Sequence, residues 1–333
     1  MSDAKAPLKI LSFNWHEPYL CALARTGHSF DVAEPRLGRD GARSWDRRLR
    51  PVPENLRLIT ELDARLNLEE GWYDLVLCHN FRDVAQVAAF EAPIALLFHN
   101  LLTGELAIGG RTVERRRYLD NVAPLAERAE RMIFVSEAKR QDWGYEGRVI
   151  VHGVDPGEFA PHTGEIAAIL RVGNHFTRRE AILGWRQQER LCEGLPSTIV
   201  GVNPDLPQAR TPASPEELKA LYAAHRVYLN TTVAGNEDGY NLSMLEAMAA
   251  GMPVVSLASP TSPLTEGVEG YVSGDVNYLR QRLGELLAEP ERANAMGRAA
   301  RALVAERFSM GAFVAAWNET FRAAARPRAR TFL

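Results

Sequence analysis

The stretch of sequence that decides the fold reads, from residue 235 to residue 255, Gly235-Asn236-Glu237-Asp238-Gly239-Tyr240-Asn241-Leu242-Ser243-Met244-Leu245-Glu246-Ala247-Met248-Ala249-Ala250-Gly251-Met252-Pro253-Val254-Val255. It opens with small and acidic residues and continues with helix-forming residues that begin near Asn241 or Leu242. Gly251 suits the left-handed position that follows a helix, and Pro253 prevents the helix from continuing. An apolar run at 253–257 comes directly afterwards. The stretch therefore predicts a loop, a short helix and a strand, in that order.

The start of this predicted helix has the properties of an anion-binding site. The backbone N–H groups of Asn241, Leu242 and Ser243 have no acceptor within the helix, and a diphosphate suits such a position. Glu246 lies further along the helix, where its carboxylate can accept charge-assisted hydrogen bonds from paired sugar hydroxyls. Asp238 precedes the turn and is expected to face the group that the phosphate carries.

The rest of the chain alternates short apolar runs with longer amphipathic stretches. Ten strands are predicted, at 9–13, 29–32, 74–78, 94–98, 132–135, 149–151, 168–172, 198–202, 227–229 and 253–257. Helical patterns lie between most of them, for example at 85–90, 122–131 and 215–224. Strands that alternate with helices in this way favour parallel sheets with right-handed crossovers, and hence an α/β class.

Two doubly wound, Rossmann-like domains fit this pattern better than one barrel. The segment 152–161 contains two prolines and two glycines between strand signals, which is typical of an interdomain linker. We predict a first domain at 1–152 and a second at 153–310. The remaining residues, 311–333, are expected to form a helix that returns to the first domain and a basic tail.

Polar residues follow the apolar runs almost every time. They are Asn14, His79, Asn80, His99, Asn100, Ser136, Asn174, His175, Asn203, Asn230, Thr231 and Thr232. A polar turn at the end of a strand explains each residue taken alone. Because ligands of open parallel sheets bind beyond the carboxyl ends of the strands, the set taken together predicts a polar crevice.

The composition excludes several classes of protein. The chain has 333 residues, of which 46% are hydrophobic and 24% charged, and its net charge of −3 lacks the basic footprint of a nucleic-acid binder. Cys21, Cys78 and Cys192 lie far apart, which argues against a disulfide scaffold and a cysteine-based zinc site. Since neither a secretory signal nor an apolar run long enough to span a bilayer is visible, we expect a cytoplasmic protein.

Arginines are concentrated in three segments. Six lie between Arg36 and Arg50, four between Arg111 and Arg117, and others in the tail from Arg322 to Arg330. Such segments can contact anionic lipid at the inner face of a membrane or an anionic acceptor. A solvated surface is the simpler interpretation, and we favour it.

The opening stretch resembles the Glu-x7-Glu signature of the retaining family-4 (group 1) glycosyltransferases, which have the GT-B fold. That signature usually reads Glu-Gly-Phe-Gly-Leu, followed by Glu-Ala-Met-Ala-x-Gly-x-Pro-Val-Val. The second half matches from Glu246 onward, and Gly239, Tyr240 and Asn241 stand for Gly-Phe-Gly. Asp238 holds the position of the first Glu, with Glu237 one residue out of register. The resemblance leaves open which of these two carboxylates faces the donor sugar.

Further matches fall in the family's order between about residues 130 and 275. The segments 133–137 and 149–161 resemble the family's strand-and-linker passage, and 169–173 resembles the first strand of the donor domain. The segment 266–272 resembles the loop that follows the signature helix.

The resemblance also implies a site for the diphosphate. The family usually has an Arg directly after the glycine of the first donor-domain strand and a Lys a few residues on. Here Asn174 follows Gly173, while Arg178 and Arg179 lie near the Lys position. A guanidinium can replace an ammonium on phosphate. Gly173, Asn174, Arg178 and Arg179 are therefore expected at the phosphates, with Gly239 and Tyr240 in the adjoining loop.

His99 is the candidate from the first domain. It matches by position the histidine that faces the donor sugar in the family, and a neutral imidazole can hydrogen-bond a hydroxyl or stabilise a transition state. A buried structural histidine is the alternative interpretation.

The resemblance implies transfer with retention of anomeric configuration, and front-face attack is our working hypothesis. No Asp-x-Asp occurs in the chain, so we expect no metal clamp on the diphosphate and no cofactor besides the nucleotide-sugar substrate. Family frequency places UDP slightly ahead of GDP as the nucleotide of the donor. The acceptor, whether a glycan, a lipid-linked molecule or a small molecule, is not identified.

Two other functions stay open. One is a sugar-nucleotide epimerase of the same architecture, and the other is a non-catalytic relative that binds a sugar nucleotide or a partner. A Rossmann dehydrogenase is disfavoured because no Gly-x-Gly-x-x-Gly follows the first strand.

Overall fold

The fold is described by a computed structural model, which covers residues 6–34, 44–108 and 114–325. Its strands are β1 Lys9–Phe13, β2 Ser29–Glu34, β3 Leu56–Thr60, β4 Leu75–Cys78, β5 Ile94–Phe98, β6 Arg131–Phe134, β7 Arg148–Val149, β8 Ile166–Val172, β9 Ser197–Val200, β10 His225–Asn230, β11 Val254–Leu257 and β12 Gly270–Ser273.

Helices connect most of the strands. They are α1 Glu17–Ala24, α2 Glu61–Glu69, α3 Phe81–Val87, α4 Leu102–Ile108, α5 Arg115–Ala126, α6 Glu137–Trp143, α7 Glu180–Leu183, α8 Trp185–Cys192, α9 Pro215–Ala224, α10 Leu242–Ala250, α11 Val276–Ala288, α12 Pro290–Arg307 and α13 Met310–Ala324. A 3-10 turn lies at Pro156–Glu158.

The chain divides into two compact units. Unit 1 draws on Met1–His99, Val113–Val151 and Gly311–Leu333, and unit 2 on Asn100–Thr112 and His152–Met310, in each case as far as the structure describes them. Helix α4 thus belongs to unit 2 although its sequence lies in the first half of the chain. The predicted domain limits at residues 152 and 310 stay predictions.

In the described part of unit 1, seven strands form one sheet with the order β3-β2-β1-β4-β5-β6-β7. Every strand pair in it is parallel. The central strands β4 and β5 are apolar and buried at every position, as parallel strands covered on both faces require.

The described strands of unit 2 form a second parallel sheet, with the order β12-β11-β10-β8-β9. Helix α10 is held between this sheet and α12 in one hydrophobic core. Gly297 of α12 lies so close to α10 that an added Cβ would collide with the carbonyl oxygen of Gly251. The predicted class of two doubly wound α/β domains is confirmed.

Two of the twelve described strands were not predicted, β3 and β12. Each forms the edge of its sheet. Edge strands are short and carry charged or polar residues such as Arg57, so they lack the continuous apolar run that marked the buried strands.

Several polar residues that follow strands serve as helix caps. Side-chain oxygens of Asn80 and Ser136 accept hydrogen bonds from backbone N–H groups in the first turns of α3 and α6. These contacts satisfy N–H groups that the helix itself leaves without an acceptor. For these two residues the interpretation as polar turns at strand ends is sufficient.

Candidate functional site

The candidate site of unit 2 lies where the strands β8 to β11 end. Four loops meet there, at 173–179, 201–203, 231–241 and 258–262. Because the strands are parallel, all four loops follow carboxyl ends at one edge of the sheet, which is where open parallel sheets bind ligands.

Helix α10 begins at Leu242, as the sequence predicts, and Asn241 caps it. The Oδ1 atom of Asn241 accepts a 2.9 Å hydrogen bond from the backbone N–H of Met244 and a 2.7 Å bond from the Ser243 hydroxyl. Within the described residues, the N–H groups of Asn241, Leu242 and Ser243 have no acceptor. Three donors at the positive end of a nine-residue helix can therefore bind an anion.

The loop before α10 is held by close backbone contacts at Gly239. Its N–H donates to Thr261 Oγ1 at 2.7 Å, and its carbonyl accepts from Asn230 Nδ2 at 3.0 Å. A Cβ at this position would lie 2.6 Å from Cβ of Ser259 and 2.7 Å from the Ser262 nitrogen. Glycine is required here by close approach, and the loop's path is fixed by the neighbouring loop at 258–262.

The two candidate carboxylates have different surroundings. Asp238 is 1% exposed, whereas Glu237 is only partly buried. Glu237 Oε1 accepts a 2.8 Å hydrogen bond from the backbone N–H of Asp238. Burial lowers the pKa of the Arg179 guanidinium, and the charge of Glu237 opposes that shift. Glu237 and Arg179 thus interact electrostatically, although 58 positions separate them in the sequence.

The two candidate phosphate-binding arginines point to different partners. Arg178 is exposed, and its Nε lies 3.4 Å from a carboxylate oxygen of Asp205, which also accepts from the Thr177 hydroxyl at 3.1 Å. Arg179 is partly buried at the start of α7, beside the charge of Glu237. Their adjacency in sequence therefore does not place them at one ligand group.

Hydrogen bonds at Gly173 and Asn174 connect the loop after β8 with the loop after β9. The Gly173 carbonyl accepts from Asn203 Nδ2 at 2.8 Å, and Asn174 Oδ1 accepts from the backbone N–H of Val202 at 2.8 Å. An added Cβ at Gly173 would lie 2.8 Å from the Phe176 ring. His175 follows with a φ of 56°, a left-handed conformation that is uncommon for residues other than glycine.

Glu246 lies on α10 and is partly buried. Its Oε2 accepts a 3.2 Å hydrogen bond from the Tyr222 hydroxyl of α9. One turn earlier, the Ser243 and Tyr228 hydroxyl oxygens are 2.9 Å apart. Burial raises the pKa of Tyr228 above its ordinary range, so this hydroxyl keeps its proton at neutral pH. The Tyr222 hydroxyl thus helps to orient the Glu246 carboxylate.

His99 directly follows β5 in unit 1. Its Nε2 lies 2.8 Å from Nδ1 of His79, and Tyr19 packs edge-on against its ring with the centroids 4.9 Å apart. Its surroundings are therefore polar on one side and aromatic on another.

Glu105 is a charged residue of unit 2 that the sequence analysis did not single out. Burial raises the pKa of its carboxyl to about 7; a hydrogen bond with Asn100 opposes that rise and the charge of Glu237 adds to it. The preceding Gly104 packs against the backbone of the acidic loop, where an added Cβ would collide with the Asn236 carbonyl oxygen. No signal in the linear sequence indicated this proximity, since about 130 positions separate α4 from Asn236.

Part of the arginine-rich segments lies outside the described residues, namely 35–43, 109–113 and 326–333. Of the arginines that are described, Arg48 is paired with Asp46 and Arg115 with Asp142. No group of three or more His, Cys, Asp and Glu side chains in the described ranges is arranged to hold a metal ion. No helix in those ranges is both long and apolar enough to cross a membrane.

Comparison with known proteins adds a family and a fold. A family described as glycosyl transferase-like matches residues 134–319, which is more than half of the chain. Over 94 residues, the chain is 40% identical to the GDP-mannose-dependent alpha-(1-6)-phosphatidylinositol monomannoside mannosyltransferase of Mycolicibacterium smegmatis. That match spans 26% of this chain and 25% of the relative.

Solved structures match most of the length of the chain. HepE of Anabaena in complex with UDP and glucose has a TM-score of 0.71 and 16% identity, over 95% of this chain and 100% of HepE. Sucrose-phosphate synthase of Thermosynechococcus elongatus has a TM-score of 0.70 and 16% identity, over 95% and 98% of the two chains. At this identity the likeness concerns the fold, which is GT-B.

Proposed function

Because the chain belongs to the glycosyl transferase-like family, we propose that it transfers a sugar from a nucleotide-diphosphate sugar to an acceptor. The observation that carries this proposal is the start of α10, where three N–H groups without an acceptor adjoin the loops that follow four parallel strands. Such donors stabilise a bound diphosphate and also the charge that develops on it as it leaves.

Each candidate residue has a proposed role. Glu246 accepts hydrogen bonds from the ribose hydroxyls, and its contact with Tyr222 supports this orientation. Glu237, which is less buried than Asp238, is the carboxylate proposed to face the donor sugar. Arg179 supplies positive charge beside it, and His99 hydrogen-bonds a donor hydroxyl.

We propose that transfer retains the anomeric configuration and requires no metal, as the resemblance to family-4 enzymes implies. The start of α10 and the guanidinium of Arg179 would then both stabilise the charge of the leaving diphosphate. Chelation of divalent ions is expected to leave the transfer rate unchanged. A rate that falls on chelation and returns with Mg²⁺ or Mn²⁺ would contradict metal independence.

The base of the donor is proposed to be uracil or guanine. Family frequency favours UDP, whereas the 94-residue match to a GDP-mannose-dependent enzyme supports GDP. The same relative supports a lipid-linked acceptor, since its name includes a phosphatidylinositol mannoside. The expected cytoplasmic location and the contact of arginine-rich segments with a membrane stay predictions.

A thermal-shift screen against UDP-, GDP- and ADP-sugars tests the binding part of the proposal. A nucleotide at 100 times its Kd stabilises the folded state by about 2.7 kcal/mol, enough to raise the melting temperature measurably. The donor that gives the largest shift is then incubated with candidate acceptors, and the product anomer is determined by NMR.

Three outcomes separate the functions. Transfer with the donor's anomeric configuration supports the proposal. Interconversion of the donor sugar without an acceptor indicates an epimerase instead. Tight binding without transfer or hydrolysis across the donor panel indicates a non-catalytic sugar-nucleotide-binding protein.

A further inference from the structure

In unit 1, the buried side chains of Ser12 and His79 and the partly buried side chain of His99 form a continuous hydrogen-bond chain. The hydroxyl oxygen of Ser12 on β1 lies 2.9 Å from Nε2 of His79, and Nδ1 of His79 lies 2.8 Å from Nε2 of His99. Ser12 is 0% exposed and His79 is 3% exposed. Because Ser12 and His79 are closed to water, the position of the proton on each member of this hydrogen-bond chain depends on its neighbour.

His79 is a neutral imidazole within this chain. Burial lowers its pKa to about 3, so at neutral pH it carries one proton, on either Nδ1 or Nε2. The hydrogen bonds of this series can therefore run in either of two directions. Either Ser12 donates to His79 and His79 donates to His99, or His99 donates to His79 and His79 donates to Ser12.

The backbone carbonyl of Leu77 selects between these directions. It lies 3.2 Å from the Ser12 hydroxyl and can only accept a hydrogen bond. Ser12 has one hydroxyl proton, and when it is donated to Leu77 the oxygen can only accept from Nε2–H of His79. Nδ1 of His79 is then bare and accepts from Nε2–H of His99.

We infer that Ser12 and His79 are positioning residues that hold His99 as the tautomer with a proton on Nε2 and none on Nδ1. Tyr19, edge-on against the same ring, limits rotation of His99 about its side chain. The functional meaning of this tautomer rests on the proposed role of His99 at the donor sugar. The tautomer itself does not depend on that role.

The tautomer decides which hydrogen bond His99 can make with a hydroxyl. With no proton on Nδ1, the imidazole can accept a hydrogen bond from a hydroxyl, which leaves the oxygen of that hydroxyl more electron-rich. If that hydroxyl lies next to a carbon that develops positive charge, this arrangement stabilises the charge. The reverse tautomer would donate to the oxygen and act against that charge.

Nitrogen NMR of the whole protein, labelled with 15N-histidine, tests the tautomer directly. We expect protonated Nε2 and bare Nδ1 for both His79 and His99, with signals assigned from His79→Gln and His99→Asn variants. A protonated Nδ1 in His99 of the unaltered protein would overturn the inference. This readout needs neither donor nor acceptor.

The protein contains internal standards for both tautomers. Nδ1 of His28 accepts from the backbone N–H of Leu8 at 3.1 Å, which requires the proton on Nε2. Nδ1 of His225 lies 2.9 Å from the Leu221 carbonyl oxygen and must donate to it. Burial lowers the pKa of both imidazoles, so both are neutral at pH 7 and give reference signals in the same spectrum.

Ser12→Ala removes the hydroxyl oxygen that fixes the direction of the hydrogen bonds, and Ser12→Thr keeps it. In Ser12→Ala we expect the nitrogen signals of His79 and His99 to move towards values averaged between the two tautomers, while those of His28 and His225 stay unchanged. Ser12→Thr is expected to retain the tautomers of the unaltered protein. Unchanged His99 signals in Ser12→Ala would count against a positioning role.

Kinetics separate this inference from the proposed function. If the chain transfers sugar, Ser12→Ala should lower kcat about tenfold, as loss of a partner that orients a functional imidazole does, with nucleotide Kd unchanged. Ser12→Thr should restore most of the rate. Absence of transfer by the unaltered protein, with the expected tautomer present, would refute the proposed function and leave the positioning of His99 intact.

Discussion

At the scale of single residues, neighbours in the sequence have different environments. Glu237 and Asp238 differ by one position, yet the first is partly buried beside the charge of Arg179 and the second is 1% exposed. The backbone directly after them is held at Gly239 by contacts with the loop at 258–262. Local fixation of the backbone therefore decides which carboxylate is accessible.

This difference predicts the outcome of two isosteric substitutions. Glu237→Gln is expected to lower kcat/KM about 100-fold, since the proposed role of Glu237 is to place a preorganised charge near the donor sugar. Asp238→Asn, which keeps the same shape at a buried position, is expected to have a smaller effect on transfer. Steady-state kinetics with one donor and one acceptor measures both. A larger loss in Asp238→Asn would assign the sugar contact to Asp238.

Glu246 gives a second prediction at this scale. Glu246→Ala is expected to weaken nucleotide binding by about 2 kcal/mol, roughly 30-fold in Kd, because charged hydrogen bonds to hydroxyls are lost. Tyr222→Phe is the matched control, since it removes the hydroxyl that donates the 3.2 Å bond to Glu246 and leaves the carboxylate in place. Calorimetry should show a small change for the control. Equal affinity of Glu246→Ala and the unaltered protein would remove Glu246 from the site.

At the scale of elements, the packing of α4 within unit 2 depends on one glycine. A Cβ added at Gly104 would collide with the Asn236 carbonyl oxygen and would lie 3.3 Å from a methyl group of Ile182 on α7. No other residue type can occupy that position without moving the acidic loop. Helix α4 thus contributes to the position of Glu237 through backbone contact.

Two glycine-to-alanine substitutions in helices should consequently have opposite effects. Gly104→Ala is expected to lower the free energy of unfolding by about 2 kcal/mol because the added methyl group overpacks the contact. Gly284→Ala in α11 adds a methyl group with no atom within 4 Å, and should raise stability by about 1 kcal/mol through helix propensity. Chemical denaturation measures both. A stabilising Gly104→Ala would show that α4 does not pack as described.

At the scale of the whole molecule, buried ionisable groups make stability depend on pH in opposing ways. His79 stays neutral when folded, so its contribution to stability increases as pH rises from about 3 to about 6.5. Burial raises the pKa of Asp83 to about 7, and the same holds for Glu105. A folded-state pKa above the unfolded value means that the folded state binds more protons, so these two carboxyls reduce stability as pH rises from about 4 to about 7.

Glu105→Gln should therefore flatten the fall in stability towards neutral pH. Relative to this variant, the unaltered protein is expected to lose about 2 kcal/mol of unfolding free energy between about pH 5 and about pH 8, a value reduced for partial exposure. Denaturation curves at both pH values measure the difference. Glu193→Gln, at an exposed carboxyl of the same unit, is the control and should parallel the unaltered protein. A Glu105→Gln curve that also parallels it would contradict the raised pKa.

The α/β class and the limits of α10 were predictable from the linear sequence. Asn241 before the helix and Gly251 after it, which has a φ of 96°, are local signals that need no distant partner. The edge strands β3 and β12 were not predictable, because their half-polar runs form strands only when a neighbouring strand supplies hydrogen-bond partners.

The sequence by itself thus determined the alternation of strands and helices, the helix start that suits a diphosphate, and the resemblance to a glycosyltransferase signature. These depend on hydrophobic periodicity and on caps within a few residues of each other. Only the tertiary structure decided that α4 adjoins Glu237, that Arg178 and Arg179 have different partners, and that His79 contacts His99. Those relations join residues far apart in the chain, and they arise from the packing of parallel strands whose order in the sheet differs from their order in the sequence.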